Sequence, residues 1–335
     1  MRVATPLHGN VEAEVAIKSV AKDKIKNDLY FLKRELDILM LVDHPNIIKF
    51  YESYEDDRYI HMVQELCTGG DLLDRLSYAA PISEEVLSQL CKKILAAVHH
   101  LHSLYICHRD IKPENFLFKS KDSSAEIKLI DFGMSAKFGR NAEELNSMVG
   151  TPSYLAPEVL TARYGKECDV WSLGVILYYI LSGHLPFEGA SLAATFHKVS
   201  QAEFDFSGHE WDEYSSDVKD LISRMLVVDP GHRITLPTAL RHKWLCSYQS
   251  SRRSSVEIPH SVLSMLHKYR PPAKLQGEAM KVMVKHLSAK DIEGLDRAFK
   301  ALDKDSTGFI TRANLEKAMF KSGLKLAPSE LLGKL

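Results

Sequence analysis

Val15-Ala16-Ile17-Lys18 lies in a strand pattern of period two, which puts Ala16 and Lys18 on one face. Residues 1–20 thus read as two strands joined by a turn at Gly9-Asn10. The period then changes. Leu29, Leu32, Leu36, Leu39 and Met40 recur at helical spacing and predict a helix over residues 26–41. Glu35 sits beside that stripe, where a carboxylate turned inward is costly unless paired. His44-Pro45-Asn46-Ile47 breaks the helix before another strand pair. A long amphipathic helix follows over residues 84–103, marked by Val86, Leu87, Leu90, Ile94, Leu95, Val98 and Leu101. Residues 168–181 are apolar nearly all round, the composition of a helix buried on every side. The Ser- and Arg-rich run 247–256 marks a domain boundary. Helical pattern resumes over 257–287, interrupted by Pro271-Pro272, and Ser288 opens a capped helix whose Ile292, Leu295, Phe299 and Leu302 face one side.

Composition changes this picture little. The 335 residues, 45% hydrophobic and 26% charged, suit an ordinary soluble protein of about two domains. A net charge of -1 supplies no global basic field, so no nucleic-acid partner is expected. The longest apolar run, residues 173–181, is too short to span a bilayer, and no signal peptide precedes the first strand. The five cysteines, Cys67, Cys91, Cys107, Cys168 and Cys246, are scattered without metal-ligand spacing, so they are expected reduced and the protein cytoplasmic. His99, His100 and His102 have no matching acid or cysteine cluster and read as helix-end histidines, not metal ligands.

The chemistry concentrates in Cys107-His108-Arg109-Asp110-Ile111-Lys112-Pro113-Glu114-Asn115-Phe116-Leu117 and, further on, Ile130-Asp131-Phe132-Gly133. These two strings, in this order and at this spacing, resemble the catalytic loop and the metal-binding turn of the protein kinase family. The resemblance implies Asp110 as the base that orients an attacking hydroxyl, Lys112 as the cation on the phosphoryl group in flight, and Asn115 and Asp131 as Mg²⁺ ligands. It extends backwards and forwards. Ala16 would roof the adenine of ATP, Lys18 would reach its phosphates, and Glu35 would hold Lys18. The stretch Tyr59 to Asp71 resembles the edge strand and the hinge between two lobes. By that resemblance Gln64 is the gatekeeper, backbone groups of Glu65 and Cys67 hydrogen-bond the adenine, Asp71 meets the ribose or a substrate arginine, and Leu117 lines the nucleotide site. Residues 134–158, ending Ala156-Pro157-Glu158, resemble an activation segment, and Lys112 with Thr151 favours serine or threonine acceptors over tyrosine. Ser147 lies where related kinases carry a phosphate, and Arg109 wants an anion that this phosphate or Glu143 and Glu144 would supply. Asp169 would hydrogen-bond the catalytic-loop backbone, and Arg233 would pair with Glu158.

Beyond the catalytic pattern, Asp303-Lys304-Asp305-Ser306-Thr307-Gly308-Phe309 resembles an EF-hand loop, with Asp303, Asp305, Thr307 and the Phe309 carbonyl at ligand positions. Its twelfth position is Asn314 where the pattern has a bidentate glutamate, so Ca²⁺ binding is expected weak or absent. The order of parts resembles calcium-dependent protein kinases. The expected architecture is α+β: a bilobal protein kinase fold over 1–245, a linker and autoinhibitory junction over 246–287, and an α-helical, partial EF-hand region over 288–335. The chain opens at Met1-Arg2-Val3-Ala4, at or just beyond the place of the family's Gly-rich loop, so the N-lobe is expected to lack its first strand and that loop, with both termini cut. The activity implied is calcium-regulated transfer of the ATP γ-phosphate to protein serine or threonine, with arginine upstream of the acceptor, as at Arg252 before Ser255. The competing readings are a nucleotide-impaired pseudokinase or regulatory scaffold, and a calcium-sensing adaptor.

Overall fold

In the computed structural model, Arg2–Ala4 (β1) and Val15–Ala21 (β2) pair antiparallel, with Val3 opposite Ala16. The structure describes residues 1–5, 14–23, 29–77, 83–139, 145 and 147–248, and beyond these only 299, 302, 303, 310 and 314. Leu29–Leu41 (α1) follows, then Phe50–Glu55 (β3) and Tyr59–Glu65 (β4). The sheet runs β1-β2-β4-β3, with Ala16 opposite Gln64 and Lys18 opposite Met62. β4 is therefore an interior strand, not the expected edge. Its buried Met62, Val63, Gln64 and Glu65 need neighbours on both sides, whereas β3 is polar and exposed after Tyr51, the composition of an edge.

The buried face of α1 is Leu32, Glu35, Ile38 and Leu39, while Leu29 and Met40 are more than half exposed. The apolar stripe read from spacing alone was thus rotated. Glu35 belongs to the buried face because Lys18 neutralises it there.

The second lobe is mainly helical. Leu72–Ser77 (α2) leads to Glu84–Ser103 (α3), whose first turn is capped by Ser83 accepting the Val86 N–H at 3.4 Å. The core face of α3 carries Leu87, Cys91, Ile94, Leu95, Val98 and Leu101, as its period requires. Four short strands follow, Ile106–Cys107 (β5), Phe116–Phe118 (β6), Ile127–Leu129 (β7) and Ala136–Lys137 (β8), pairing β5 with β8 and β6 with β7. Glu167–Ser182 (α4) is buried at every position from Cys168 to Tyr178, as its composition predicts. Leu192–Gln201 (α5) packs on the 3-10 turn Pro157–Thr161, Ser216–Met225 (α6) packs on α4, and Leu236–Ala239 (α7) and Lys243–Ser247 (α8) pack on α3.

Backbone hydrogen bonds join the lobes. Ile48 N–H donates to Leu129 O at 3.0 Å, and Leu129 N–H returns to Asn46 O at 2.8 Å. After β4 the chain runs along β6, with Gly69 N–H on Phe118 O and Phe118 N–H on Gly70 O, both at 2.9 Å. The cleft floor and the hinge are thus one hydrogen-bonded unit. No helix among the described residues is long and apolar enough to cross a membrane.

Candidate active site

Period two on β2 places Lys18 over the cleft, and the rotated α1 brings Glu35 to it. The Lys18 ammonium lies 2.7 Å from Glu35 Oε1 and 3.8 Å from Asp131 Oδ1. Residues from a strand, a helix and the opposite lobe therefore meet at one cation. Asp131 adopts a left-handed conformation, φ 60°, and its Oδ1 accepts the Gly133 N–H at 3.3 Å, which leaves the carboxylate half exposed to the cleft. Phe132 beneath it is fully buried, edge-on to His108 at 5.2 Å between ring centroids.

Across the cleft, Asp110 is held on three sides. Lys112 Nζ lies 2.9 Å from Oδ2, the Thr151 hydroxyl donates to Oδ1 at 2.9 Å, and Asn115 Nδ2 donates to Oδ2 at 3.2 Å and to the Asp110 carbonyl at 2.7 Å. Burial alone would raise the Asp110 pKa, but these bonds outweigh it and hold the group below its ordinary value. Asp110 is accordingly a carboxylate at neutral pH, fixed in orientation and able to accept a proton. Lys112 also reaches the Thr151 hydroxyl at 3.1 Å.

The loop bearing Asp110 hangs from one buried group. Asp169, at the start of α4, accepts the N–H of His108 and of Arg109, each at 2.9 Å, and the His102 ring nitrogen at 2.8 Å. That anchoring lets Arg109 hold φ 69° beside Asp110. Burial pushes the Asp169 carboxyl upwards, yet the His102 bond and the two amides prevail and its pKa lies below the ordinary 3.8. A folded pKa below the unfolded one contributes stability above the ordinary carboxylate pKa and loses it as pH falls through the folded value. Thermal melts between pH 7 and pH 3 are expected to show Tm falling steeply below about pH 4, and a less steep fall in an Asp169→Asn variant.

The activation segment closes on the same loop at Gly150. Its φ is 116°, and a Cβ there would lie 2.7 Å from the Arg109 carbonyl oxygen and 2.8 Å from Leu155 Cδ2. Gly150→Ala is expected to cost about 1–3 kcal/mol in urea unfolding through backbone strain. Further along, Arg233 meets Glu158 through two bonds of 2.6 and 2.8 Å, with the Arg233 side chain completely buried, as the motif pair implied.

The hinge residues fall partly as expected. Ala16 and Gln64 are buried opposite each other at the cleft roof. The Glu65 N–H donates to Lys49 O at 2.8 Å, which leaves its carbonyl as the backbone group for the cleft. Its carboxylate is clamped by Lys119 at 3.0 Å and Lys128 at 3.1 Å. Cys67 is half-buried, and burial with the nearby Glu65 charge pushes its thiol up to about 11, so it stays protonated. Asp71 bridges to Leu117 across the cleft floor, and its Oδ1 accepts the Asp74 N–H at 2.8 Å, so it caps α2. Of the EF-hand residues, Asp303 is buried, with its N–H on Phe299 O at 2.8 Å. Asp305, Thr307 and Phe309 lie outside the described residues, as do Glu143 and Glu144.

Two lobes joined by a hinge, with a cation and a fixed carboxylate facing one cleft, define a phosphoryl-transfer fold of the bilobal kinase type. A profile of the family described as "Protein kinase domain" matches residues 2–245. The chain belongs to the protein kinase family. It is 41% identical over 311 residues to "Calcium-dependent protein kinase 3" of Plasmodium yoelii yoelii, covering 93% of this chain and 58% of that protein. It is 39% identical over 319 residues to "Calcium-dependent protein kinase 33" of Arabidopsis thaliana, covering 94% of this chain and 61% of that one. The chain thus spans about three-fifths of the length of these curated relatives.

Proposed function

We propose that the chain is a serine/threonine protein kinase that transfers the γ-phosphate of ATP, with Asp110 as the base. The observation that carries this reading is the state of Asp110: an oriented carboxylate, ionised at neutral pH, with Lys112 and Thr151 at its two oxygens. Asp110 takes the proton of an acceptor hydroxyl, and Lys112, already beside it, faces the charge that develops on the transferring group. The Lys112–Thr151 contact supports an acceptor no longer than serine or threonine. Lys18, steadied by Glu35, is the phosphate anchor.

The residues fit a hard cation. Asn115 spends its Nδ2 on Asp110, which directs the amide oxygen the other way, and Asp131 presents a half-exposed anionic oxygen. Asn115 backbone O accepts the Ile130 N–H at 2.8 Å, which ties the turn just before β6 to the residue just after β7 and so holds Asn115 close to Asp131. Mg-ATP, when bound, supplies the phosphoryl group and the charge neutralisation. Ala16, Gln64, Cys67 and Leu117 would line its base, and Glu65 would contribute by its carbonyl. The retained Lys18–Glu35 pair and the ionised Asp110 favour an enzyme over a pseudokinase or scaffold.

Residues 1–245 form the catalytic unit in this reading, 246–287 the junction, and 288–335 an EF-hand region through which Ca²⁺ acts, as the names of the relatives support. Asn314 in place of the bidentate glutamate makes Ca²⁺ binding by that loop weak or absent. Substrates are proteins with arginine upstream of the acceptor, recognised in the cytoplasm. Calorimetric titration of the 335-residue chain with ATP is expected to show Mg²⁺-dependent binding that is lost in Lys18→Met; Mg²⁺-independent binding unaffected by that change would overturn the assignment of the cleft.

A further inference from the structure

The Arg109 guanidinium, beside Asp110, is nearly buried, and among the described residues its side-chain hydrogen bonds go to neutral oxygens. Nε donates to Met134 O at 2.5 Å, and Nη1 donates to the Ser147 hydroxyl at 3.2 Å and to the Tyr164 hydroxyl at 3.3 Å. Tyr164 is placed between the activation segment and α4, where it holds that segment twice. Its own N–H donates to Leu145 O at 3.4 Å, and its hydroxyl donates to Ser147 O at 2.7 Å. One phenol thus accepts from the arginine and donates to the segment.

We propose that Tyr164 is a positioning residue that latches the unphosphorylated activation segment to Arg109, and so holds the base-bearing loop in its working geometry without an anion at Ser147. The inference rests on the kinase reading of the cleft. Arg109 transmits the effect because its backbone N–H is fixed on Asp169, its φ is 69°, and its carbonyl packs against Gly150. A displaced guanidinium therefore moves the residue adjoining Asp110. The latch needs a neutral hydroxyl with one proton to give, and burial of Tyr164 outweighs the Arg109 bond to keep the phenol protonated, its pKa above the ordinary 10.0. An anion at position 147 would pair with Arg109 directly and make the latch dispensable, which separates a positioning role from a packing one.

The test uses the 335-residue chain, phosphatase-treated and shown by intact mass to carry no phosphate, as parent, Tyr164→Phe, Ser147→Asp and the double variant. Initial rates of peptide phosphorylation are expected to fall about tenfold in kcat for Tyr164→Phe with KM for ATP unchanged, the scale of one hydrogen bond to a charged group. The double variant should regain the rate of Ser147→Asp alone. Hydrogen exchange is read in parallel and needs no activity: amides of residues 147–150 should exchange faster in Tyr164→Phe and return to the parent rate in the double variant. Parental rates and exchange in Tyr164→Phe, or a double variant no better than the single, would overturn the latch. A parent no more active than its Asp110→Asn variant would count against the kinase reading instead, and the exchange result would still decide the latch.

Discussion

Asp110→Asn is expected to lower the rate of phosphate transfer by about 10²–10⁴-fold while leaving the fold and nucleotide binding intact. The amide keeps the shape of the side chain, and its one oxygen can accept from Thr151 or face Lys112, which sit on different oxygens of the carboxylate. It cannot accept a proton from the attacking hydroxyl. In the proposed mechanism the same carboxylate sets the acid limb of the pH profile. Because its pKa lies below the ordinary carboxylate value, the parent should stay active down to mildly acid pH and lose rate only as Asp110 protonates. Stopped assays from pH 8 to pH 4, with melts at each pH to exclude unfolding, check both statements. A residual rate in the variant within threefold of the parent would remove Asp110 as the base.

Arg233→Met should destabilise the catalytic lobe by about 3–5 kcal/mol, because it leaves the buried Glu158 carboxylate uncompensated. The guanidinium also satisfies the carbonyls of Glu167, Val227 and Val228 and stacks over Trp171 at 5.2 Å. A paired change, Arg233→Met with Glu158→Leu, should recover part of the loss by removing the orphaned charge. It should not recover all of it, since those three carbonyls still lose the Arg233 donors. Equilibrium unfolding in urea measures each step. The consequence reaches activity, because Glu158 ends the segment that carries Thr151 to Asp110.

The grouping of Asp110, Lys112, Asn115 and Asp131 was legible in the sequence because they belong to short strings of fixed spacing, and the structure brings Lys112 and Asn115 to Asp110 and sets Asp131 3.8 Å from Lys18. Helix α3 was legible from its own 3.6-residue period, and α4 from its lack of polar positions. What escaped was non-local. The place of β4 inside the sheet depends on its pairing with both β2 and β3, which no local period encodes. The pairing of Glu35 with Lys18, 17 positions away, was readable, but the face of α1 was misjudged at its ends: Leu29 and Met40 share the helical spacing and are more than half exposed, whereas Ile38 is buried. Likewise, His102 gave no signal of its bond to Asp169, 67 positions on, although that bond helps fix the catalytic loop. The clamp of Lys119 and Lys128 on Glu65 was equally invisible, since each lysine alone resembles a solvated side chain.

The most direct measurement is transfer of labelled γ-phosphate from Mg-ATP to a peptide carrying Arg-x-x-Ser, run with the 335-residue chain in Ca²⁺ and in chelator, with Asp110→Asn as the blank. The account predicts incorporation above the blank, on serine and not on a matched tyrosine peptide. Incorporation equal to the blank under both conditions, by a chain shown to be folded and to bind ATP, would contradict it.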